Sequence, residues 1–341
     1  MNDEEKTSPE EFEVGLFRPE DAEGIVSLFR SVYGEGYPIR MFYDPAAIAA
    51  ANTAGDYYSI VARTAAGRVG GVVHLFRSAP NPDIYESGAG LVRKEYRQLG
   101  LTHRLLRFQI EDWAPGRENV HAIYGEAVCN HPYMQKSVVE FAFIATALEV
   151  ALMPAEAYST EKSAPGRVAS LFMAKTYRPQ PHAVYIPAIY ERELKSLYAR
   201  LDDGRTLIPA DAPAYEEPVS AIDMTLFDFA QVARMAVSAI GADFPERMQA
   251  LEAEAGGKNA LVLQAWLPLN TAAIGPAVDC LRSRGYFFGG MLPQWFRHDG
   301  LLMQKLCCPP DFENIHLYEE QSKQVLDMVK EDWRRVTGGV L

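Results

Sequence analysis

The chain reads as an α/β (α+β) protein: a mixed central sheet flanked by helices, followed by a second, smaller domain of the same general kind. Three observations predict this. Short runs of strand-like alternation interleave with amphipathic helical runs, in the order β, α, α, β, β, β, α, β, α, β, β. A segment rich in Asp, Gly and Pro, residues 202–218, then interrupts the pattern as a linker would. Beyond it the alternation of strands and helices resumes.

The elements follow in order. Residues 1–10 form a polar, disordered lead. FEVGLFR (Phe12–Arg18) alternates like a strand, and Pro19 with its acidic neighbours opens a helix that carries Ile25, Phe29 and Val32 on one face. DPAAIAAAN (Asp44–Asn52) is a second, short helix. YYSIVART (Tyr57–Thr64) and GRVGGVVHLFRSA (Gly67–Ala79) form a hairpin, and IYESGAGLV (Ile84–Val92) is a fourth strand. A helix from about Gly100 to Trp113 leads to AIYGEAVC (Ala122–Cys129), the fifth strand. The helix PYMQKSVVEFAF (Pro132–Phe143) is followed by two closing strands, ALEVALM (Ala147–Met153) and SLFMAKTY (Ser170–Tyr177). The proline-bounded run Val184–Pro187 and a helix, IYERELKSLYARL (Ile189–Leu201), end the first half.

In the second half, Ser220–Asp228 reads as a strand, and Ala230–Gly241 and Pro245–Gly256 read as helices. Ala260–Leu269 is a strand, Thr271–Gly285 a helix, and Gly285–Pro293 and Leu301–Cys308 are strands. Tyr318–Val336 is a charged amphipathic helix placed to lie across a domain interface. The expected organisation is therefore a domain over 1–201, a linker over 202–218, a second domain over 219–309 and a C-terminal helix within 310–341.

Composition narrows the class of function. The chain has 341 residues, room for about two domains, and 48% of them are hydrophobic. A net charge of −12 argues against nucleic acid, whose binding rests on Lys and Arg neutralising phosphates. No apolar run reaches the length of a membrane span, and the acidic start is unlike a signal peptide, so membranes are excluded and a cytoplasmic location is expected. Cys129, Cys280, Cys307 and Cys308 contain no CxxC pair and read as free thiols. No His, Cys and carboxylate spacing suggests a metal.

The informative stretch is GLVRKEYRQLGLTHRLL (Gly90–Leu106). A strand ends, a turn carries Arg97, Gln98, Leu99, Gly100, Leu101 and Thr102, and a helix begins. Free N–H groups and the positive end of the helix dipole gather there, which suits phosphate oxygens. The Walker pattern and the GxGxxG fingerprint are both absent. A plain strand–turn–helix has the same local form; the place after a fourth strand sets this one apart.

Arg97-x-x-Gly100-x-Thr102 resembles the acyl-CoA signature of the GNAT N-acetyltransferases, Arg/Gln-x-x-Gly-x-Gly/Ala, and the run from Val92 to Arg97 resembles that family's V-x-P-E-Y-R lead-in with Lys94 in place of proline. The resemblance covers about residues 12–190. It implies a GNAT fold whose fourth and fifth strands splay apart, with the pantetheine arm of acetyl-CoA on the open edge. Leu91 and Val92 would then supply backbone groups to pantetheine, and Arg97, Gln98, Leu99, Gly100, Leu101 and Thr102 would face the diphosphate. Arg93, Lys94 and Arg104 would add charge near the nucleotide.

Attack of an amine on a thioester needs a base for the ammonium proton, and an acid for the leaving thiolate helps. Glu126 and then Glu86 are the candidates for the base, with a salt bridge as the plain alternative for each. The family's N-x-x-A-x-x-x-Y pattern aligns with Asn130, Tyr133 and Ser137: Asn130 matches and is carried over to the cofactor, Tyr133 stands at the Ala place, and Ser137 stands where the acid Tyr would be. Tyr133 is the substitute acid, and His131 is a candidate for either a catalytic part or a helix cap.

Residues 219–309 resemble the C-terminal portion of a GNAT domain without the cofactor signature, and so read as a degenerate copy. Its aromatic residues Tyr286, Phe287, Phe288, Trp295 and Phe296 suit either core packing or a pocket wall. The expectation is an acyltransferase moving acetyl or another short acyl group from CoA to an amine on a small molecule or peptide, possible as a homodimer. The alternatives are a regulatory protein that senses acyl-CoA without turning it over, and a scaffold with no ligand.

Overall fold

A computed structural model describes residues 11–154, 166–201, 203–210, 215 and 217–339. The expected lead, residues 1–10, lies outside them. The chain divides into two compact units, one of residues 1–78 and 85–120, the other of residues 79–84 and 121–341.

In the first unit, β1 (Phe12–Leu16), β2 (Tyr57–Thr64), β3 (Val69–Phe76) and β4 (Ile84–Val92) form an antiparallel run in chain order. Helices α1 (Ala22–Tyr33) and α2 (Pro45–Ala54) bury Ile25, Phe29 and Ile48 with Phe42, Val61, Val69 and Val72 of the sheet and loop. Pro45 at the first turn and the Asp44 carboxylate, which accepts from Ala46 N at 2.9 Å, start α2 as the sequence predicts. Arg63 and Asp21 form a buried ion pair that ties the sheet to the start of α1. Helix α3 (Leu101–Arg107) continues as a π-helical turn over Phe108–Trp113.

The second unit holds β5 (Ala122–Val128), α4 (Tyr133–Val139), β6 (Ile144–Met153), β7 (Val168–Thr176), β8 (Ala183–Ile186), α5 (Glu191–Tyr198), β9 (Thr206–Pro209), β10 (Ala221–Phe227) and β11 (Val232–Ala239). It continues with α6 (Phe244–Gly257), β12 (Val262–Pro268), α7 (Ile274–Ser283), β13 (Phe287–Leu292), β14 (Gly300–Leu306) and α8 (Glu320–Thr337). The element order over Phe12–Thr176 is the one expected for a GNAT fold.

Within the second unit the strands run in the order β5-β7-β6-β13-β14-β12-β11-β10. One connection occurs twice. Strand β5, helix α4, β6 and β7 pair as β5-β7-β6, all antiparallel, and β12, α7, β13 and β14 pair as β12-β14-β13 in the same manner. The two copies meet where β6 pairs with β13, at Ala147 and Gly290. Gly290 has a φ of +131°, and a Cβ there would sit 2.3 Å from the Thr146 carbonyl oxygen and the Ala147 Cα, so only glycine admits this approach. Helix α8 covers β6 and β13 at this seam. Its Asp332 accepts from Tyr190 Oη and Phe288 N, each at 2.8 Å, and from Arg282.

Two expectations are corrected. Residues 230–241 are not a helix: Val232–Ala239 is strand β11, antiparallel to β10 and parallel to β12. Ala233, Met235 and Val237 are buried while Arg234, Ala236 and Ser238 are not, a period of two that the Ala- and Met-rich composition concealed. Residues 202–218 are not wholly a linker, because β9 pairs there in parallel with β8. The aromatic run is core: Tyr286, Phe287, Phe288 and Trp295 are buried, and Trp295 packs on Tyr124, Phe172 and Trp266 at 4.8–5.7 Å between ring centroids.

Candidate functional site

The turn after β4 is built from both sides. On the strand side, Val72 pairs with Leu91 and His74 with Gly88, so Val73 alone faces Ala89 and Gly90. This is a β-bulge, with Ala89 at a φ of +49°. The ladder is interrupted there and resumes at Leu91 and Val92, which pair with Val72 and Gly71. Leu91 and Val92, both half-buried, follow the bulge.

Residues Lys94–Leu99 then form a 3₁₀ helix rather than an open turn. Tyr96 anchors it: the ring is buried edge-on against Phe12 at 4.9 Å, and its hydroxyl accepts from Arg68 at 3.1 Å. Arg97, Gln98, Leu99, Gly100 and Thr102 are exposed, and Leu101 is buried as the first residue of α3. Gly100 has a φ of +69°, and a Cβ there would meet nothing within 4 Å. Glycine is required by backbone conformation and not by a neighbouring wall. Arg93 and Arg104 are engaged elsewhere. Arg93 Nε donates to Val69 O at 2.7 Å, and Arg104 Nη2 donates to Phe12 O at 2.6 Å.

Glu86 lies on β4 opposite Phe76. Its carboxylate accepts from Ser78 Oγ. Burial, with the negative charges of Glu86 and Asp56, pushes the Tyr57 hydroxyl above its ordinary pKa.

The other candidates lie in the second unit. Glu126, half-buried on β5, accepts from Arg234 Nη2 at 3.1 Å, so the plain salt-bridge alternative is realised. The same nitrogen donates to Glu149 at 3.0 Å, and Arg234 Nε donates to Gln264 Oε1 at 2.7 Å. Gln264 Nε2 closes the network on Glu149 at 2.8 Å, and the Arg234 guanidinium lies 5.2 Å from the Trp266 ring centre. On a flat sheet the six steps from β5 to β11 span about 29 Å. The sheet therefore curls until these strands face one another. Arg234, Glu149 and Gln264 did not stand out in the sequence, since the bonds that join β11 and β12 to β5 and β6 link residues 85 to 115 positions apart.

Asn130 and His131 are half-buried at the end of β5, and Tyr133, exposed, opens α4. Pro132, not His131, stands at the cap position of that helix and makes no side-chain cap. The His131 and Tyr133 rings lie 5.0 Å apart. Ser137 Oγ donates back to Tyr133 O at 3.1 Å, a helix-internal bond. Buried Gln135 holds the later chain against this helix, donating to His316 O at 2.9 Å and accepting from Tyr318 N at 3.0 Å.

At the second copy the corresponding turn, between β11 and α6, is filled by the chain itself. Ala242 N donates to Glu217 O at 2.8 Å, and Gly241 N donates to Ser220 Oγ at 2.9 Å. A Cβ on Gly241 would sit 2.4 Å from the Val219 backbone. Asp243 precedes α6, and hydrogen bonds from Ser220 hold its carboxyl below the usual range. An anion there repels phosphate.

No protein-family model matches the chain, and no curated protein matches it in sequence. Among solved structures it is similar to the ribosomal-protein-S5-alanine acetyltransferase of Vibrio fischeri, at 14% identity and a TM-score of 0.40, over 50% of this chain and 96% of that one. It is similar to a putative acetyltransferase of Acinetobacter baylyi, at 18% identity and a TM-score of 0.39, over 50% of this chain and 94% of that one. An N-acetyltransferase of Staphylococcus aureus matches at 16% identity and a TM-score of 0.37, over 49% of this chain and 99% of that one.

Proposed function

We propose that the chain is an acyltransferase of the GNAT superfamily, moving an acetyl or short acyl group from CoA to an amine on a small molecule or peptide in the cytoplasm. The observation that carries this reading is the turn at Gly100: a bulged strand, a turn with Arg97, Gln98, Leu99, Gly100 and Thr102 exposed, and a left-handed glycine at the head of a helix. Backbone N–H groups at such a turn suit a diphosphate. In this reading Leu91 and Val92 face pantetheine, and Arg97 to Thr102 hold the diphosphate. The second copy is a degenerate domain whose own turn is closed by Glu217–Ser220.

The reaction forms a C–N bond from the amine to the thioester carbon and breaks the C–S bond. The ammonium proton leaves to a base, and the thiolate takes a proton to become free CoA. Glu86 is the better base, because Glu126 Oε1 already receives a guanidinium N–H.

A second reading is a protein that binds acyl-CoA as a signal without turnover. The helical self-bond of Ser137, at the place of the family's acid, favours it. Titration calorimetry with acetyl-CoA tests both readings, and no heat of binding would remove them together. Thiol release with a panel of amines separates them: release supports the transferase, and binding without release supports the sensor.

A further inference from the structure

Strand β10 ends the sheet of the second unit. It pairs with β11 on one side, and no strand among the described residues lies on its other side. The repeat reaches further back along the chain and explains why. In the first copy β3 runs antiparallel to β4, which leads through α3 to β5; in the second, β10 runs antiparallel to β11, which leads through α6 to β12. Strand β2 lies along the far side of β3 from Tyr57 to Arg63. The second copy has no counterpart of β1, α1, α2 or β2 among the described residues, so the edge that β2 covers in one copy is bare in the other.

A bare edge offers a row of unpaired N–H and C=O groups, and proteins blunt such rows with Lys, Pro or short strands. The seven residues of β10, AIDMTLF, hold no Lys and no Pro, and the one irregularity in its pairing lies at the end, between Ala221 and Ile222. Apolar side chains gather around it instead. Of eight large hydrophobic residues exposed on the described surface, three stand here: Val219 at 62%, Phe227 at 42% and Phe229 at 47%. Such a cluster along a bare edge marks an interaction surface.

We infer that this edge binds a second copy of the chain: two β10 strands pair antiparallel about a two-fold axis through Met224, joining two sheets into one. The strand is complementary to itself in that register. Residues opposite each other across an antiparallel pair share a face. With Met224 opposite Met224, Ile222 meets Leu226 and Ala221 meets Phe227. Carried past each end, the register sets Val219 against Phe229. Each exposed apolar residue thus finds an apolar partner. The two acids of residues 219–229 stay apart: Asp223 faces Thr225, whose hydroxyl can donate to it, and Asp228 faces Ser220. Moving the axis to Asp223 would oppose two carboxylates, and moving it to Thr225 would oppose Asp223 and Phe227. An unrelated strand would share the backbone bonds but not this pairing, which is why the partner is a second copy. The inference is independent of the acyl-transfer reading.

Sedimentation velocity of the full chain at micromolar concentration is expected to show a dimer. A monomer, as would follow if another part of the chain covers β10, overturns the inference. Two positions then tell this edge from any other. Met224→Cys sets two thiols across the axis with Cα atoms about 4.5–5.5 Å apart, a separation that suits a disulfide. Diamide is expected to turn that variant into a covalent dimer much faster than it does the wild type, whose exposed Cys307 sets the background. A variant no faster than wild type overturns the inference. Thr225 is exposed, so its replacement leaves the core undisturbed. Thr225→Asp sets a carboxylate against the partner's Asp223 and is expected to raise the dimer dissociation constant at least about tenfold, while Thr225→Asn stays within about threefold. Should Met224→Cys not fold, the Thr225 variants decide alone. Equal dissociation constants for the wild type and Thr225→Asp overturn the inference.

Discussion

Arg234 on β11 reaches Glu126 on β5, with 3.1 Å between Nη2 and Oε1, and so fastens two strands that stand six places apart in the sheet. Both side chains are largely shielded from water, at 14% and 18% exposure, and Glu149 beside them is at 4%. Removing the guanidinium leaves two carboxylates facing each other in poor solvent. Arg234→Met is expected to lower unfolding free energy by about 3–5 kcal/mol, read from urea denaturation. A change below about 1 kcal/mol would mean that the network contributes little.

The division of labour between the two glutamates is open to kinetics. Glu86→Gln is expected to lower kcat by roughly 10²–10⁴ with acetyl-CoA affinity kept. Glu126→Gln is expected to change kcat by less than about tenfold, since its oxygen already serves Arg234. The reverse ranking would make Glu126 the base.

Gly100 separates conformation from contact. Its φ of +69° disfavours a β-branched residue although space is open around it. Gly100→Val should weaken acetyl-CoA binding at least tenfold, a loss of about 1.4 kcal/mol, while Gly100→Asn, which tolerates this φ, should stay within about threefold. Calorimetry on both variants checks this. Equal affinities in all three proteins would place the diphosphate elsewhere.

At Gly290 the constraint is contact. A methyl group there collides with backbone of the neighbouring strand, which has no flexible end to yield. Gly290→Ala is expected to cost at least about 3 kcal/mol or to leave the protein insoluble. A urea midpoint unchanged from wild type would show that β6 and β13 can part without loss.

His74 sets an acid limit on the first unit. Its folded pKa, about 3, lies below the ordinary 6.5 of an unfolded histidine. Between those values the unfolded chain binds the extra proton, so stability is full above about pH 6.5 and falls as pH drops, by about 1.4 kcal/mol per unit. His74→Phe should remove one proton's worth of that slope in denaturation series from pH 7 to pH 4. An identical slope in the variant would mean that the ring is protonated without unfolding.

Local chemistry made much of this legible. Tyr57–Thr64 and Ile84–Val92 were readable as strands residue for residue, because β-branched and aromatic residues run between turn formers. The Gly100 turn was readable because a left-handed position leaves glycine in the sequence. Strand β11 was not, since Ala, Met and Val at 232–239 satisfy a helical period as well as a strand's, and pairing on both sides decided the matter. The Glu126 ion pair was invisible for another reason: nothing near Glu126 in sequence announces a guanidinium 108 positions later. The bulge at Ala89 also lacked a signal, because alanine rarely takes a positive φ.

The seam between β6 and β13 has a consequence for synthesis on the ribosome. Strand β6 is complete at Met153, but its outer neighbour begins only at Phe287. At roughly 5–20 residues per second, the ribosome needs on the order of ten to thirty seconds to deliver that partner. Throughout the wait β6 carries a row of unpaired backbone groups on a hydrophobic strand, a template for pairing with another nascent chain. The yield of soluble protein should therefore depend on translation speed and on chaperones that shield this edge, even in cells where the finished molecule is stable.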